Sequence, residues 1–266
     1  MGVVNVTPDS FFGRSRTPDL GDALAAGEAH VRDGAVILDV GGESTRPGAT
    51  PVDADEEVRR TVPVIRALAA RVATPIAIDT YKAPVARAAV AAGAAVINDV
   101  SGGLLDPTMA ATAAELEVPI VLGHLRQTPA TMQAAAEYRD ASAEVRVELL
   151  ARAEEFLAAG VARERILLDP GIGFAKRAEH NLAILRRLED LARIGFPVVV
   201  GVSRKRFLGE LARASGLADT GPEDRLEASL AVAVLAAERG AVLIRTHDVR
   251  PTVRALAAAD AILHQL

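Results

Sequence analysis

The sequence predicts a single (β/α)8 barrel of the TIM type. Eight short apolar runs recur along the chain without alternating with polar residues, which is typical of parallel strands buried on both faces. A longer segment with helical spacing follows each run, and α/β barrels commonly reach 266 residues as one domain. No linker or break in composition divides the chain, so we expect one domain over residues 1–266.

The predicted strands are the apolar runs themselves, at residues 3–6, 36–38, 76–78, 95–97, 120–122, 166–168, 198–202 and 242–244. Apolar stripes predict helices within residues 149–157, 182–191 and 226–235. Pro63 lies inside a further helical pattern, where we expect a kink or a late start. A doubly wound open sheet is the alternative fold, and it is disfavoured because no glycine-rich dinucleotide motif follows the first run.

Composition excludes several classes of function. The chain has no cysteine, which rules out disulfides, thiolate nucleophiles, iron–sulfur clusters and cysteine-based zinc sites. A net charge of −5 without basic blocks argues against binding of nucleic acid or anionic membranes. No apolar stretch reaches the ~18–20 residues that span a bilayer, and no signal peptide is visible, so we expect a soluble, cytoplasmic protein.

Lysine is rare in this chain. It occurs only at Lys82, Lys176 and Lys205, so the other 27 of the 30 basic residues are arginine. The preference for arginine over lysine, together with the abundance of alanine, indicates a GC-rich gene. It also gives a weak reason to examine each remaining lysine.

Polar residues follow most of the apolar runs. In a barrel, the carboxyl ends of all strands meet at one mouth, where such enzymes have their active sites. A single Asp or Asn at a strand end often only caps a helix or stabilises a turn, but eight converging strands favour a functional site. The residues are Asn5, Asp39, Asp79, Asn98, Asp99, His124, Asp169, Ser203, Arg204, Lys205, Arg245, Thr246, His247 and Asp248.

Two connections, residues 8–19 and 40–53, are too long for simple strand-to-helix turns, which usually have ~2–6 residues. They follow predicted strands 1 and 2. Long loops on the active face of a barrel are typical of lids that exclude water or complete a pocket. Tolerated surface insertions are the alternative interpretation.

The polar ring divides into two chemical groups. One group suits a ring edge with several donors and acceptors, such as a pterin or purine, and the other suits oxyanions. The first group is Asp79, Asn98, Asp169 and Lys205; the second is Asn5, Arg46, Arg245 and His247. No histidine has metal-site spacing, so we expect any metal to be Mg²⁺ carried by phosphates.

Seven motifs together closely resemble the dihydropteroate synthases, the folate-pathway transferases that sulfonamides inhibit. The motifs occur in order along essentially the whole chain, and the first two are long and specific. They are NVTPDSF at 5–11, DVGGESTRPG at 39–48, IDT at 78–80, IND at 97–99, LDPGIGF at 168–174, SRK at 203–205 and RTHD at 245–248.

The resemblance implies a (β/α)8 barrel, usually a homodimer, and a defined reaction. This reaction joins 4-aminobenzoate to the methylene of 6-hydroxymethyl-7,8-dihydropterin diphosphate and releases diphosphate, with Mg²⁺ as the cofactor. No covalent enzyme intermediate is expected, because a pterin can delocalise the methylene cation left by the departing diphosphate. Both substrates are small molecules.

The resemblance also implies roles for individual residues. Pterin binding falls to Asp79, Asn98, Asp169, Lys205 and Arg245. Diphosphate binding falls to Asn5, Arg46, Arg245 and His247, with Asn5 also contacting Mg²⁺. The aminobenzoate pocket falls to Phe11, Thr45, Arg46, Pro47, Phe174, Ser203 and Lys205. Catalytic roles fall to Asp39, Asp79, Lys205 and Arg46.

The chain departs from the usual family pattern at two places outside these motifs. Residues 12–15 read FGRS where the family usually has SDGG, so we expect the first loop to differ from that of the family. Gly123 stands where many members have a methionine before His124, which would enlarge the pterin pocket.

Two other functions fit parts of the pattern. One is a barrel that transfers a methyl group from a folate to a corrinoid, which would need the pterin-binding residues but not both long loops and Arg46. The other is a non-catalytic pterin-binding paralogue, which loss of the motif acids, Arg46 or Lys205 would favour. None of these residues is lost.

Overall fold

Eight parallel strands form one sheet in the order of the chain. The structure, a computed structural model, describes residues 1–7, 20–45 and 48–264. Its strands are β1 (Gly2–Asn5), β2 (Leu38–Gly41), β3 (Ile76–Asp79), β4 (Val96–Asp99), β5 (Ile120–Gly123), β6 (Ile166–Asp169), β7 (Val198–Gly201) and β8 (Ala241–Arg245).

The first and last strands close the sheet into a barrel. Gly2 and Thr246 form a parallel bridge, in which the backbone N–H of Val3 donates to Thr246 O at 3.0 Å. The backbone N–H of Thr246 in turn donates to Met1 O at 2.9 Å. The predicted (β/α)8 barrel is therefore confirmed.

Helices alternate with the strands around the barrel. In the described part of the chain they are α1 (Leu20–Arg32), α2 (Ala54–Ala69), α3 (Ala83–Ala91), α4 (Met109–Leu116), α5 (Ala141–Ala158), α6 (Ala178–Arg186), α7 (Leu188–Ala192), α8 (Arg206–Ala214), α9 (Leu226–Glu238) and α10 (Val249–His264). Short 3₁₀ turns lie at Met132–Ala135, Arg163–Arg165 and Pro222–Arg225. No described helix is long and apolar enough to cross a membrane.

Local sequence explains where several helices begin. Asp53 caps α2 by accepting from the backbone N–H of Glu56 at 2.7 Å, and Asp140 caps α5 by accepting from Ala143 at 3.0 Å. Of the kink or late start expected at Pro63, the late start is wrong, because α2 begins at Ala54 and contains this proline. The helical stripe at 182–191 is divided into α6 and α7, which meet at Arg187.

The strands β3, β5, β6 and β8 extend one residue further than the apolar runs predict and β4 extends two further, so that several polar residues are the last of their strand. Asp79, Asp99, Asp169 and Arg245 each end a strand. β2 differs most from the predicted 36–38, because Val36 is exposed and the strand begins at Leu38. The connection after β2 is long, since β2 ends at Gly41 and α2 begins at Ala54, and the one predicted at 8–19 lies outside the described residues.

Two apolar layers determine which residues reach the barrel interior. A large core lies between the strands and the helices and includes Val40, Ile78, Ile97 and Leu122. A smaller cluster of Met1, Ala77, Val96, Val121 and Val199 packs with Ile37, Leu167 and Leu243. Because side chains alternate along a strand, this second cluster faces the barrel axis, and the next inward residue on each strand lies two positions later, toward the carboxyl end.

Gly123 allows two neighbouring backbones to approach closely at the end of β5. A Cβ at this position would lie 2.6 Å from both the Cα and the O of Val100, in the segment that follows β4. The family's methionine could not be placed here without moving that segment.

We predict that Gly123→Ala destabilises the protein by about 1–3 kcal/mol, because the added methyl overpacks a rigid backbone contact. Urea unfolding would measure the loss. Gly221→Ala is the control, since a Cβ there meets only the Glu223 carboxylate at 3.6 Å. Equal unfolding midpoints for the two variants would contradict the prediction.

Candidate active site

The inward residues above the apolar layer form a polar layer at the carboxyl end of the barrel. Each lies two positions after an inward apolar residue, as Asp79 follows Ala77 and Asn98 follows Val96. The layer comprises Asn5, Asp39, Asp79, Asn98, Gly123, Asp169, Gly201 and Arg245. Its two glycines leave room for a cleft.

Arg245 binds two carboxylates from other strands. Its Nε donates to Asp39 Oδ2 and its Nη2 to Asp79 Oδ2, both at 2.6 Å. The amide of Asn98 donates to the same Asp39 oxygen at 3.1 Å. Asp39 is completely buried and Asp79 is 8% exposed, so Arg245 offsets negative charge that is little solvated by water.

The second oxygen of each carboxylate is unused. Asp39 Oδ1 and Asp79 Oδ1 are buried and have no hydrogen-bond partner in the described part of the protein. Buried acceptors without partners are costly, and a catalytic role, a bound water or a bound ion can account for them. These two oxygens therefore keep a capacity to accept that no donor in the described part of the protein uses.

Burial shifts the pKa values of the charged groups in the layer. It raises the pKa of Asp79 to about 7, because the opposing effect of Arg245 is smaller and Asp39 adds repulsion. It also raises the pKa of Asp169, although this carboxylate accepts from the backbone N–H of Gly171 at 2.7 Å. Burial lowers the pKa of Lys205 to about 8 against the attraction of Asp169.

A small cleft, open to solvent, lies beside this cluster. The Lys205 ammonium lies 4.0 Å from the ring centre of Phe174, at the wall of the cleft. The lining residues are Thr45, Asn98, Val100, Gly123, Asp169, Gly171, Ile172, Phe174, Gly201, Lys205 and Arg245.

Ser203 and His247 lie beside each other at the ends of β7 and β8. The Nδ1 atom of His247 is 3.1 Å from Ser203 Oγ, which also accepts from the backbone N–H of His247 at 3.2 Å. Arg204 links the same two loops, since its Nε and Nη2 donate to Asp248 at 2.9 and 2.7 Å. Burial and the nearby Arg245 and Arg204 lower the pKa of His247 to about 4, so the ring is neutral at physiological pH.

Residues 1–247 match the family model described as pterin binding enzyme. The chain belongs to this family. The match covers all eight strands and every polar residue of the ring up to His247.

Relatives within the pterin-binding family are similar over nearly the whole chain. The dihydropteroate synthase of Mycobacterium leprae is 48% identical, over 99% of this chain and 93% of the relative. A structure of the Xanthomonas albilineans dihydropteroate synthase with 4-aminobenzoic acid has a TM-score of 0.90 at 44% identity and covers 100% of this chain and 93% of the other. A complex of the Xanthomonas albilineans enzyme with 7,8-dihydropteroate has a TM-score of 0.86 at 40% identity, over 100% and 92%. The resemblance inferred from the motifs is confirmed.

The structure brings together most of the residues that the family pattern names. Thr45, Asn98, Asp169, Phe174, Lys205 and Arg245 line one cleft, and Arg245 bonds directly to Asp39 and Asp79. Asn5 ends β1 and is partly buried, in register with Gly41 of β2. Phe11, Arg46 and Pro47 lie outside the described residues, so their predicted roles stay predictions.

Sequence reasoning gave no role to a second set of charged residues at the mouth. Lys82 bonds to Glu43 and, at 2.5 Å, to Glu57, next to the second long loop. Lys176 and His124 form a buried pair beneath the Gly171–Phe174 turn. The rarity of lysine was the signal that pointed to Lys82 and Lys176, and His124 was marked by its position after a strand.

We predict that Arg245→Met lowers the free energy of unfolding by about 3–5 kcal/mol, because it leaves two buried carboxylates without a counterion. Urea unfolding would measure the loss, and adding Asp79→Asn should recover part of it. The control is Arg71→Met, which removes an exposed pair with Glu28 and should cost less than about 1 kcal/mol. Equal losses in the two single variants would contradict the proposed charge compensation.

Proposed function

We propose that the chain is a dihydropteroate synthase. It joins 4-aminobenzoate to the methylene carbon of 6-hydroxymethyl-7,8-dihydropterin diphosphate, giving 7,8-dihydropteroate and diphosphate. The family match and the relatives with bound 4-aminobenzoate and 7,8-dihydropteroate support this reaction. The observation that carries the proposal is the Asp39–Arg245–Asp79 cluster beside Asp169 and Lys205 in one cleft.

Recognition of the pterin falls to Asp79, Asn98, Asp169, Lys205 and Arg245. An aminopyrimidinone edge carries N–H donors beside a carbonyl acceptor, so it needs carboxylates and a cation or amide side by side. Asp169 and Lys205 supply such a pair, and the free Oδ1 of Asp79 supplies a further acceptor. The depth of these groups keeps water from competing for the same hydrogen bonds.

Binding of the diphosphate falls to Asn5, Arg46, Arg245 and His247. The His247 ring is neutral in the free protein. It would gain a proton only when the diphosphate binds, because a nearby anion favours the charged form of histidine. Arg245 remains charged at any physiological pH, because Asp39 and Asp79 outweigh the effect of burial and raise its pKa.

We include Mg²⁺ in the proposal, bound to Asn5 and to the substrate. The described residues contain no group of three or more His, Asp or Glu that could hold a metal alone. A single amide oxygen fits Mg²⁺ nevertheless, because this ion commonly keeps several waters and is held through substrate phosphates. The ion would neutralise the negative charge of the leaving diphosphate.

The aminobenzoate is assigned to Phe11, Thr45, Arg46, Pro47, Phe174, Ser203 and Lys205. Of these, Thr45, Phe174 and Lys205 line the cleft. The Phe174 ring offers an aromatic surface against which the ring of 4-aminobenzoate can pack. The cation–π contact with the Lys205 ammonium holds the Phe174 ring in its orientation.

The reaction is an SN1-like substitution. The C–O bond to diphosphate breaks first, and the pterin delocalises the positive charge of the methylene carbon. The carboxylates of Asp39 and Asp79 stabilise this charge, since they are buried and already oriented by Arg245. The amine of 4-aminobenzoate then forms the C–N bond and loses one proton, so the protein mainly positions the amine and excludes water.

We predict that the purified protein releases diphosphate only when 4-aminobenzoate and the pterin diphosphate are both present, and faster with Mg²⁺ than with EDTA. Asp39→Asn and Arg46→Ala should each lower turnover at least ~100-fold while leaving the melting temperature near that of the wild type, because they remove transition-state stabilisation. Arg71→Ala is the control, since its exposed pair lies far from the mouth.

No release with both substrates would reject the synthase and favour a binding protein. Release of a methyl group to a corrinoid would favour the methyltransferase. An unchanged rate in either variant would remove that residue from the proposed site.

We further propose that the protein is a cytoplasmic homodimer, working as one barrel domain over residues 1–266. Support comes from the family resemblance and from apolar side chains exposed on the last two helices, Leu235, Val253, Ile262 and Leu263. We predict a molar mass of two chains by light scattering. A mass of one chain at micromolar concentration would reject the dimer.

A further inference from the structure

The ammonium group of Lys176 lies in a closed cage of three acceptors. It donates to Gly171 O at 3.0 Å, to Phe174 O at 2.9 Å and to His124 Nδ1 at 2.8 Å. Burial lowers the pKa of Lys176 to about 7. Its protonated form has three N–H donors, so that capacity is used in full, and the residue is only 4% exposed. None of the three partners is a polar group assigned to a substrate, although the charge of Lys176 also acts on Asp169.

The partners of the cage identify its role. Gly171 and Phe174 are the first and last residues of a tight turn in the wall of the cleft, closed by a hydrogen bond from Phe174 N to Gly171 O at 3.0 Å. The third partner, His124, has its other nitrogen 2.9 Å from Glu148, and burial lowers its pKa to about 4. A neutral His124 can thus accept from Lys176 while it donates to Glu148.

The residue that follows the turn needs this support because its backbone is strained. Ala175, between Phe174 and Lys176, has a φ of 48° and is fully buried. The left-handed conformation costs an alanine roughly 1–2 kcal/mol, and it persists only where the surroundings hold it. The bond from Lys176 to Phe174 O spans this residue and fixes its conformation.

The two ends of the turn are held differently. At the near end, His124 N donates to Asp169 O at 2.9 Å, and Gly171 packs so closely that a Cβ would lie 2.0 Å from His124 O. At the far end, Phe174 depends on Lys176 and on the bond from Gly173 N to Asn181 Oδ1 at 2.8 Å. Losing Lys176 therefore frees Phe174 more than Asp169.

We propose that Lys176 is a positioning residue for the second substrate: it holds the Gly171–Phe174 turn so that the Phe174 ring stands against Lys205. This inference rests on the proposed function, because Phe174 is assigned there to the aminobenzoate pocket. A lysine suits the cage better than the arginine that dominates this chain, since three acceptors surround one nitrogen and a planar guanidinium cannot direct three N–H groups from a single point.

The test is steady-state kinetics on the full chain with Lys176→Met, which keeps the length of the side chain and removes the donors. We expect the KM for 4-aminobenzoate to rise about tenfold and the KM for the pterin diphosphate to change less than twofold. Leu68→Ala, a buried truncation in α2, should lower the melting temperature and leave both KM values unchanged.

A double-mutant cycle tests whether Lys176 acts through Phe174. If it does, Lys176→Met added to Phe174→Ala should not raise the aminobenzoate KM further, because contacting residues that act as one unit are not additive. The same comparison in an Ala175→Gly background, where the backbone strain is relieved, provides a folded variant if Lys176→Met alone is unstable.

Three results would overturn the inference: an unchanged aminobenzoate KM in Lys176→Met, equal increases in both KM values, or multiplicative effects with Phe174→Ala. Each of them requires an active wild-type protein. Absence of condensation by the wild type would instead reject the proposed function.

Discussion

Side chains alternate between the two faces of a strand, and this constraint decides where the site forms. On β3 the inward residues are Ala77 and then Asp79; on β4 they are Val96 and then Asn98. The lower layer fills the barrel and excludes water, so the layer above it is buried although it faces a cleft. Polar groups in that layer are strongly desolvated, which is the condition under which few charges can bind a ligand tightly and specifically.

Desolvation makes the acids of this layer depend on their partners. Two buried carboxylates close together would not both remain ionised without a cation, and Arg245 is placed to bond with both. The arginine satisfies one oxygen of each acid and leaves the other without a partner. The single charge of Arg245 only partly compensates the two acids, and the free site is incompletely hydrogen-bonded, which suits a ligand with N–H donors.

The polar mouth of the barrel follows from the sequence because it requires only strand ends and a closed parallel sheet. Individual partners do not follow, since Asp39 and Arg245 are 206 positions apart and meet only through barrel closure. Lys176 shows a second limit, because two of its three partners are backbone carbonyls, which no residue type marks. The break at Arg187 is a third limit of sequence-based prediction, since one continuous apolar stripe runs through both α6 and α7. The roles of Phe11, Arg46 and Pro47 still rest on the resemblance alone.

The closing bridge between Gly2 and Thr246 joins the two ends of the barrel, which are separated by nearly the whole chain. During synthesis, β1 cannot pair with β8 until β8 has left the ribosome, and strand pairings between such distant segments form slowly. The strand that closes the barrel also carries Arg245, so Asp39 and Asp79 acquire their counterion in the same step. A chain interrupted before β8 would have both an open sheet edge and two uncompensated acids, which links completion of the fold to completion of the site.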